Sequence, residues 1–188
     1  MKVEDTLMKA VFLDRDGTIN VDYHFVHRVE DFEYVPGALE GLRFLQNLGY
    51  VPVIVTNQSG IARGFFREKD FEELTKWMVQ DLKKQVIAIS GVYYCPHLPE
   101  GKVKKYRKSC DCRKPRTALF WKAASELKID MDHSIAVGDT LRDLSICQEC
   151  GVKGFLLSET EVPDLPGNVT CVKSWMELMK YRKMLEQL

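Results

Sequence analysis

The feature that most limits how this chain can fold is a repeated switch between short apolar runs and longer amphipathic ones. Val11–Leu13, Val51–Val55, Gly91–Cys95, Ser134–Gly138 and Gly154–Leu157 read as buried strands, and Val169–Val172 reads as a sixth. Between them apolar residues recur at helical spacing. Leu39, Leu42, Phe44, Leu45 and Leu48 follow Pro36-Gly37, and Gly49 ends that run. Phe71, Leu74, Trp77, Met78 and Leu82 mark a helix expected from Glu68 to about Ile89, with the stripe facing the core. Leu119, Phe120, Ala123, Ala124 and Leu127 mark another over Thr117–Lys128. A short helix over Leu141–Glu149 and a closing helix from Ser174 complete the pattern. Strands alternating with helices imply a three-layer α/β fold, a parallel sheet covered by helices on both faces. With 188 residues, a single domain spanning 1–188 is expected.

In such sheets ligands gather at the carboxyl ends of the strands, and each polar cluster falls there. Directly after Leu13 comes Asp14-Arg15-Asp16-Gly17-Thr18-Ile19-Asn20. Side chains alternate along an extended chain, so Asp14 and Asp16 can both face the strand's C-terminal edge while Arg15 points away. Gly17 permits the sharp turn that follows. Two acids, a glycine and a hydroxyl suit a site that holds a cation while one acid attacks phosphorus. The plain alternative is a polar turn in which Asp16 and Thr18 bond local backbone. The second strand stops at Thr56-Asn57-Gln58-Ser59-Gly60, and the fourth at Gly138-Asp139, with Asp143 one helical turn on.

Cleaving a phosphate ester takes a nucleophile, an acid for the leaving oxygen, cations on the non-bridging oxygens and donors to orient them. Asp14 can attack, giving an aspartyl-phosphate, and Asp16 can protonate the leaving group and later deprotonate water. The Thr56 hydroxyl can grip phosphoryl oxygens, Lys114 can neutralise them, and Arg113 offers a planar fork. Asp139 would complete a Mg²⁺ site with Asp14, because Mg²⁺ takes oxygen ligands and keeps several waters. Asp143 either orients a metal-bound water or is a helix-surface acid.

Cys95-Pro-His97 and, twelve residues later, Cys110-Asp-Cys112 form a second metal pattern. Three thiolates and one imidazole are a closed tetrahedral set for structural Zn²⁺, here in a zinc loop over about residues 95–112. Zinc supplies ~10–16 kcal/mol in small zinc peptides, enough to order a polar, basic segment such as 96–108. Arg113 and Lys114 follow Cys112 directly, so ordering the loop would set both cations over the phosphate. Reduced, buried cysteines beside a surface histidine are the alternative. Cys147-Gln-Glu-Cys150 spells C-x-x-C inside an expected helix, without aromatic or proline neighbours, and reads as two small residues packing on one face. Cys171 is expected buried in its strand and His133 exposed, while His24 and His27 belong to the loop after the first cluster.

Asp14-Arg-Asp16-Gly-Thr18, Thr56-Asn57, Lys114 and Gly138-Asp139 with Asp143 resemble the four ordered motifs of the haloacid dehalogenase-like phosphatases. The resemblance runs from about Lys9 to Leu157. It implies a Rossmann-like sheet with no large cap domain. Asp14-Arg-Asp-Gly-Thr-Ile-Asn20, Thr56-Asn-Gln-Ser-Gly-Ile-Ala-Arg-Gly64 and Cys110-Asp-Cys-Arg-Lys-Pro115 are similar to the branch acting on D-glycero-D-manno-heptose 1,7-bisphosphate, whose product feeds lipopolysaccharide core or surface glycans. By that resemblance the catalytic residues are Asp14, Asp16, Thr56 and Lys114, and magnesium is held by Asp14, the Asp16 backbone carbonyl and Asp139. The zinc loop coincides with one in the same branch. The resemblance also implies sugar bisphosphate contacts from Asp22, Tyr23, His24 and Phe25, from Asn57, Gln58 and Ser59, and from Arg113. Thr140 departs from the pattern, standing where the family often carries a lysine, which weakens charge neutralisation near the phosphate. Histidinol-phosphate phosphatases share the motifs with a shorter spacer, and a catalytically dead, zinc-bearing binding module is the reading from another class.

Lys plus Arg and Asp plus Glu both number 27, so zero net charge argues against bulk binding to nucleic acid or anionic membrane, a polynucleotide end included. Met1–Thr6 is charged and no signal-type run follows; no apolar stretch nears the roughly 20 residues of a membrane span. A cytoplasmic monomer acting on a small molecule is expected.

Overall fold

Period-two alternation in the first strand decides how the layers stack. In β1 (Met8–Leu13), Val11 and Leu13 point into one core and Ala10 and Phe12 into the other, all essentially inaccessible to solvent. The computed structural model describes residues 7–188; the Met1–Thr6 stretch read above for targeting lies outside the described residues. β1 is followed by α1 (Ala38–Asn47), β2 (Val51–Asn57), α2 (Ser59–Arg63), α3 (Glu68–Lys84) and β3 (Gly91–Cys95). Then come α4 (Ala118–Leu127), β4 (Ile129–Gly138), α5 (Ile146–Glu149), β5 (Lys153–Leu157), β6 (Val169–Val172), α6 (Trp175–Leu178) and α7 (Arg182–Gln187). The strands form one sheet ordered β3-β2-β1-β4-β5-β6 with every pairing parallel, the expected α/β architecture. α1, α3 and the C-terminal helices cover one face, and α4 and α5 the other. The order reverses at β1, and the crevice between the ends of β1 and β4 is where such sheets bind ligands.

Several boundaries differ from expectation. α3 stops at Lys84, not near Ile89, because Val86 takes a left-handed conformation (φ 63°) that turns Ile87 into the core. Arg43 Nε and Gln46 Nε2 on α1 donate to the Gln85 and Val86 carbonyls, satisfying groups a longer helix would have used. β4 begins at Ile129, five residues early. Its pairing with β1 breaks after Lys9, and there the Ala10 amide donates to Ser134 Oγ (2.8 Å) instead of to a strand carbonyl. The helix expected over 141–149 is a 3₁₀ turn, Leu141–Leu144, followed by α5; the closing helix is likewise interrupted, by a 3₁₀ turn at Met179–Tyr181. Cys171 is half-buried, not buried. Cys147 is buried and the Cys150 thiol donates to the Ile146 carbonyl, consistent with helix packing. No described helix is long and apolar enough to cross a membrane.

Trp175 fastens the C-terminal segment to the site loop. It is fully buried, its Nε1 donates to the Thr18 carbonyl (2.9 Å), and its ring lies against α1 where Gly41 leaves room. A Cβ at position 41 would stand 2.2 Å from Trp175 Cε3. Gly→Ala inside a helix ordinarily gains up to ~1 kcal/mol. Gly41→Ala is therefore expected to reverse sign and cost about 1–3 kcal/mol through overpacking, as read by urea denaturation.

Candidate active site

β1 delivers Asp14 to the crevice, and its amide continues the ladder by donating to the Val137 carbonyl of β4 (3.1 Å). The chain then winds tightly, with the amides of Thr18, Ile19 and Asn20 all donating to the Arg15 carbonyl. Gly17 (φ +83°) lies so close to Asp139 that a Cβ there would meet Asp139 Oδ2 at 2.2 Å. Only a residue without a side chain lets this turn touch the end of β4.

Lys114 sits almost fully buried beneath Asp14. Its Nζ reaches Asp14 Oδ1 (2.7 Å), Asp143 Oδ1 (2.7 Å) and the Val55 carbonyl (2.6 Å). Asp143 is thus no helix-surface acid; it is buried because it pairs with this ammonium and accepts from the Thr140 amide (3.1 Å) and hydroxyl. Asn57 clasps the Lys114 backbone in both directions, Nδ2 donating to its carbonyl and Oδ1 accepting from its amide, each at 3.0 Å. Arg15 does not point away. It is buried, and its guanidinium folds onto Asp16, with Nη2 at 2.7 and 2.9 Å from the two carboxylate oxygens and also 2.7 Å from the Val26 carbonyl. Asn20 Nδ2 (3.1 Å) and Gln58 Nε2 (2.9 Å) donate to Asp16 as well, and Gln58 Nε2 also meets the buried Thr56 hydroxyl (3.1 Å).

Asp14, Asp139 and Asp143 bring carboxylate oxygens within 4.8 Å of one another. Asp139 Oδ1 is buried without a hydrogen-bond partner, as an oxygen awaiting a cation would be. Burial, with the Asp143 and Asp16 charges added and Lys114 opposing, raises Asp14 to about 6; burial, Asp14 and Asp143 raise Asp139 to about 7. Burial opposes ionisation of Asp143 too, but Lys114 outweighs it and holds that acid below its usual range.

Asp14, Asp16 and Asp143 floor a cleft of about 260 Å³, with Lys114 buried beneath Asp14. Asp22, His24 and Phe25 line one wall, and Asn57, Gln58 and Ser59 another, with Arg113 facing them. His24 and Phe25 both hold left-handed backbone (φ 62° and 63°), an uncommon pair for residues with side chains. Tyr23 does not reach the cleft. Its hydroxyl donates to Glu33 (2.5 Å) and its ring is exposed in a separate hollow. Arg63 and Arg142 also line the cleft, and sequence reasoning passed over both. The available signals were that Arg63 lies one helical turn beyond Ser59 and that Arg142 adjoins Asp143.

Cys95, His97, Cys110 and Cys112 form a second cluster. Their sulfurs are separated by 3.2–3.6 Å, and His97 Nδ1 lies 3.3 and 3.7 Å from two of them. A tetrahedron with zinc–sulfur bonds near 2.3 Å has edges of about 3.8 Å, so the donor set fits that ion. The loop is fastened from the other side by Glu68, which accepts from Tyr94, Lys105 and Tyr106.

Comparison with known proteins agrees with this geometry. The family model described as polynucleotide kinase 3 phosphatase matches residues 9–148. The D-glycero-beta-D-manno-heptose-1,7-bisphosphate 7-phosphatase of Haemophilus ducreyi is 48% identical over 153 residues, covering 81% of this chain and 84% of that one. This chain belongs to the haloacid dehalogenase-like phosphatases. It is a phosphoric monoester hydrolase. The same-named Escherichia coli K12 protein is 46% identical over 157 residues, 84% of this chain and 82% of that one. The solved D,D-heptose 1,7-bisphosphate phosphatase of B. bronchiseptica, complexed with magnesium and phosphate, superposes with a TM-score of 0.80 at 28% identity, covering 96% of this chain and 100% of that one.

The raised Asp139 makes a signed prediction. The folded state holds a proton there that the unfolded state, near 3.8, has already lost, so without a divalent cation stability falls as pH rises from about 4 to 7. In magnesium-free buffer Asp139→Asn is expected to melt several degrees above the unsubstituted protein at pH 8, with the gap closing toward pH 5.

Proposed function

We propose that this phosphatase removes the 7-phosphate of D-glycero-D-manno-heptose 1,7-bisphosphate, in its β form, with Mg²⁺ at the Asp14 cluster, on the route to ADP- or GDP-linked heptose. The observation that carries this reading is a small cleft with a buried Asp14–Lys114 pair at its floor and arginines at its mouth, in a chain whose relatives bear that name. An Asp14 carboxylate oxygen attacks phosphorus, the bond from phosphorus to the sugar oxygen breaks, and Asp16 gives its proton to the leaving oxygen. Asp16 then takes a proton from water, whose oxygen displaces Asp14 and releases phosphate. Both Asp16 oxygens are engaged by Arg15, and Gln58 also holds one, so Asp16 turns out of that clasp to reach the leaving oxygen. Asp14, Asp139 and the Asp16 carbonyl would hold the magnesium, which when bound draws charge from the phosphoryl oxygens. Lys114 and Thr56 steady the phosphoryl group. Asp22, His24, Phe25, Gln58 and Ser59 surround the sugar, and Arg113 helps recognise it. Asn57 acts by holding Lys114 in place.

We further read Cys95, His97, Cys110 and Cys112 as a structural zinc site whose loop carries Arg113 and Lys114 to the cleft. We also read the protein as a cytoplasmic, single-domain monomer working on a small substrate; zero net charge supports only the part of this reading that leaves out bulk binding to nucleic acid or anionic membrane.

Phosphate release with magnesium should favour the β anomer of heptose 1,7-bisphosphate over both the α anomer and histidinol phosphate in kcat/KM; preference for histidinol phosphate overturns the substrate. Asp14→Asn should lower kcat by roughly 10³-fold or more while the protein still folds, and near-normal turnover would exclude covalent catalysis. Stripping zinc should lower Tm more than withdrawing magnesium does. An unchanged melting curve would refute the structural role.

A further inference from the structure

Three arginines from three separate segments converge on the mouth of the cleft: Arg63 at the end of α2, Arg113 just beyond the Cys110/Cys112 pair, and Arg142 in the turn after β4. Two of them have uncommitted donors. Among the described residues, neither Arg63 nor Arg142 donates a hydrogen bond to the protein. Arg63 is merely braced, its guanidinium 5.9 Å from the centre of the Phe25 ring. Arg142 is 54% exposed, with Nε 3.8 Å from Asp143 Oδ1, too long for a hydrogen bond but close enough to hold its side chain over the cleft. Some exposed arginines elsewhere are engaged, Arg67 with Asp70 and Arg182 with Glu186, while Arg28 and Arg107 are not; what sets Arg63 and Arg142 apart is that both line the cleft.

The charge layout explains what those free forks are for. In and beside the floor three carboxylates, Asp14, Asp139 and Asp143, share a single ammonium, which contacts Asp14 and Asp143 and serves the reacting phosphoryl group. Position 140, beside the metal-facing Asp139, brings no cation, since the Thr140 hydroxyl turns inward to Asp143. A second dianionic group entering this acid-lined cleft needs cations of its own, and guanidinium forks match phosphate oxygens in pairs. Nothing at the floor supplies them; the mouth does.

We propose that Arg142 and Arg63 complete, with Arg113, a cradle for the second, non-reacting phosphate, and so set selectivity for bisphosphate over monophosphate esters. This rests on the bisphosphatase reading above. The competing account is that both arginines are solvated charges offsetting nearby acids, which would leave that selectivity untouched.

The test is steady-state kinetics on the magnesium- and zinc-loaded enzyme, comparing heptose 1,7-bisphosphate with heptose 7-phosphate for Arg142→Gln, Arg63→Gln and the matching lysine variants. Each glutamine variant should lower the ratio of the two kcat/KM values by roughly 10–100-fold, mainly through KM for the bisphosphate, and lysine should restore part of it. A ratio unchanged from wild type, or losses falling equally on both esters, overturns the cradle while leaving the substrate reading intact. A wild-type enzyme no faster on either heptose ester than on histidinol phosphate overturns the substrate reading, and the cradle with it.

Discussion

The Lys114 ammonium is the contact on which the active end of this molecule depends. Carboxylates gathered in a buried space repel one another and resist ionising, and burial has already driven Asp14 up to about 6. One buried cation touching Asp14, Asp143 and the Val55 carbonyl ties together the ends of β1 and β2 and the turn after β4. Removing it would leave buried charge uncompensated, a loss usually worth about 3–5 kcal/mol. Its backbone is in turn gripped by Asn57, at the last position of β2.

The Cys95/His97/Cys110/Cys112 cluster belongs to the same device. Cys95 ends β3, and Cys112 lies two residues before Lys114, so four donors at one spot set the path by which the lysine enters the core. Glu68 on α3 fastens the intervening loop through Tyr94, Tyr106 and Lys105. The loop also buries Leu98 and Tyr106, with Val103 beside them, in one apolar cluster with Ile61, Phe66 and Phe71. It is thus held along its length as well as at its ends, and the arginine that follows it faces the cleft.

Much of this was legible in the sequence because it is written in local pattern. Period-two and helical spacing place each strand and the long helices, and acids at strand ends mark the floor. Boundaries failed where pattern and packing part company. Asp130, Asp132 and His133 conceal the start of β4, and Ile87 and Ile89 extend the apparent α3 although they pack as a connector. The missed roles depend on partners far apart in the chain. Nothing near Arg15 announces that it clamps Asp16 and the Val26 carbonyl, and nothing near Asp143 announces a lysine 29 positions earlier. Tyr23 shares a segment with true cleft residues, yet Glu33 draws it outward. Arg63 and Arg142 look like ordinary surface charge until the fold sets them on one rim.

The account stands on Asp14 as the group that takes the phosphoryl. A single turnover with enzyme in excess over heptose 1,7-bisphosphate, quenched in acid within milliseconds and digested, measures this directly by mass spectrometry. The peptide containing Asp14 is expected to carry one phosphoryl group that appears before free phosphate and decays as free phosphate rises. Free phosphate forming at the full rate while that peptide stays unmodified at every time point would contradict the account.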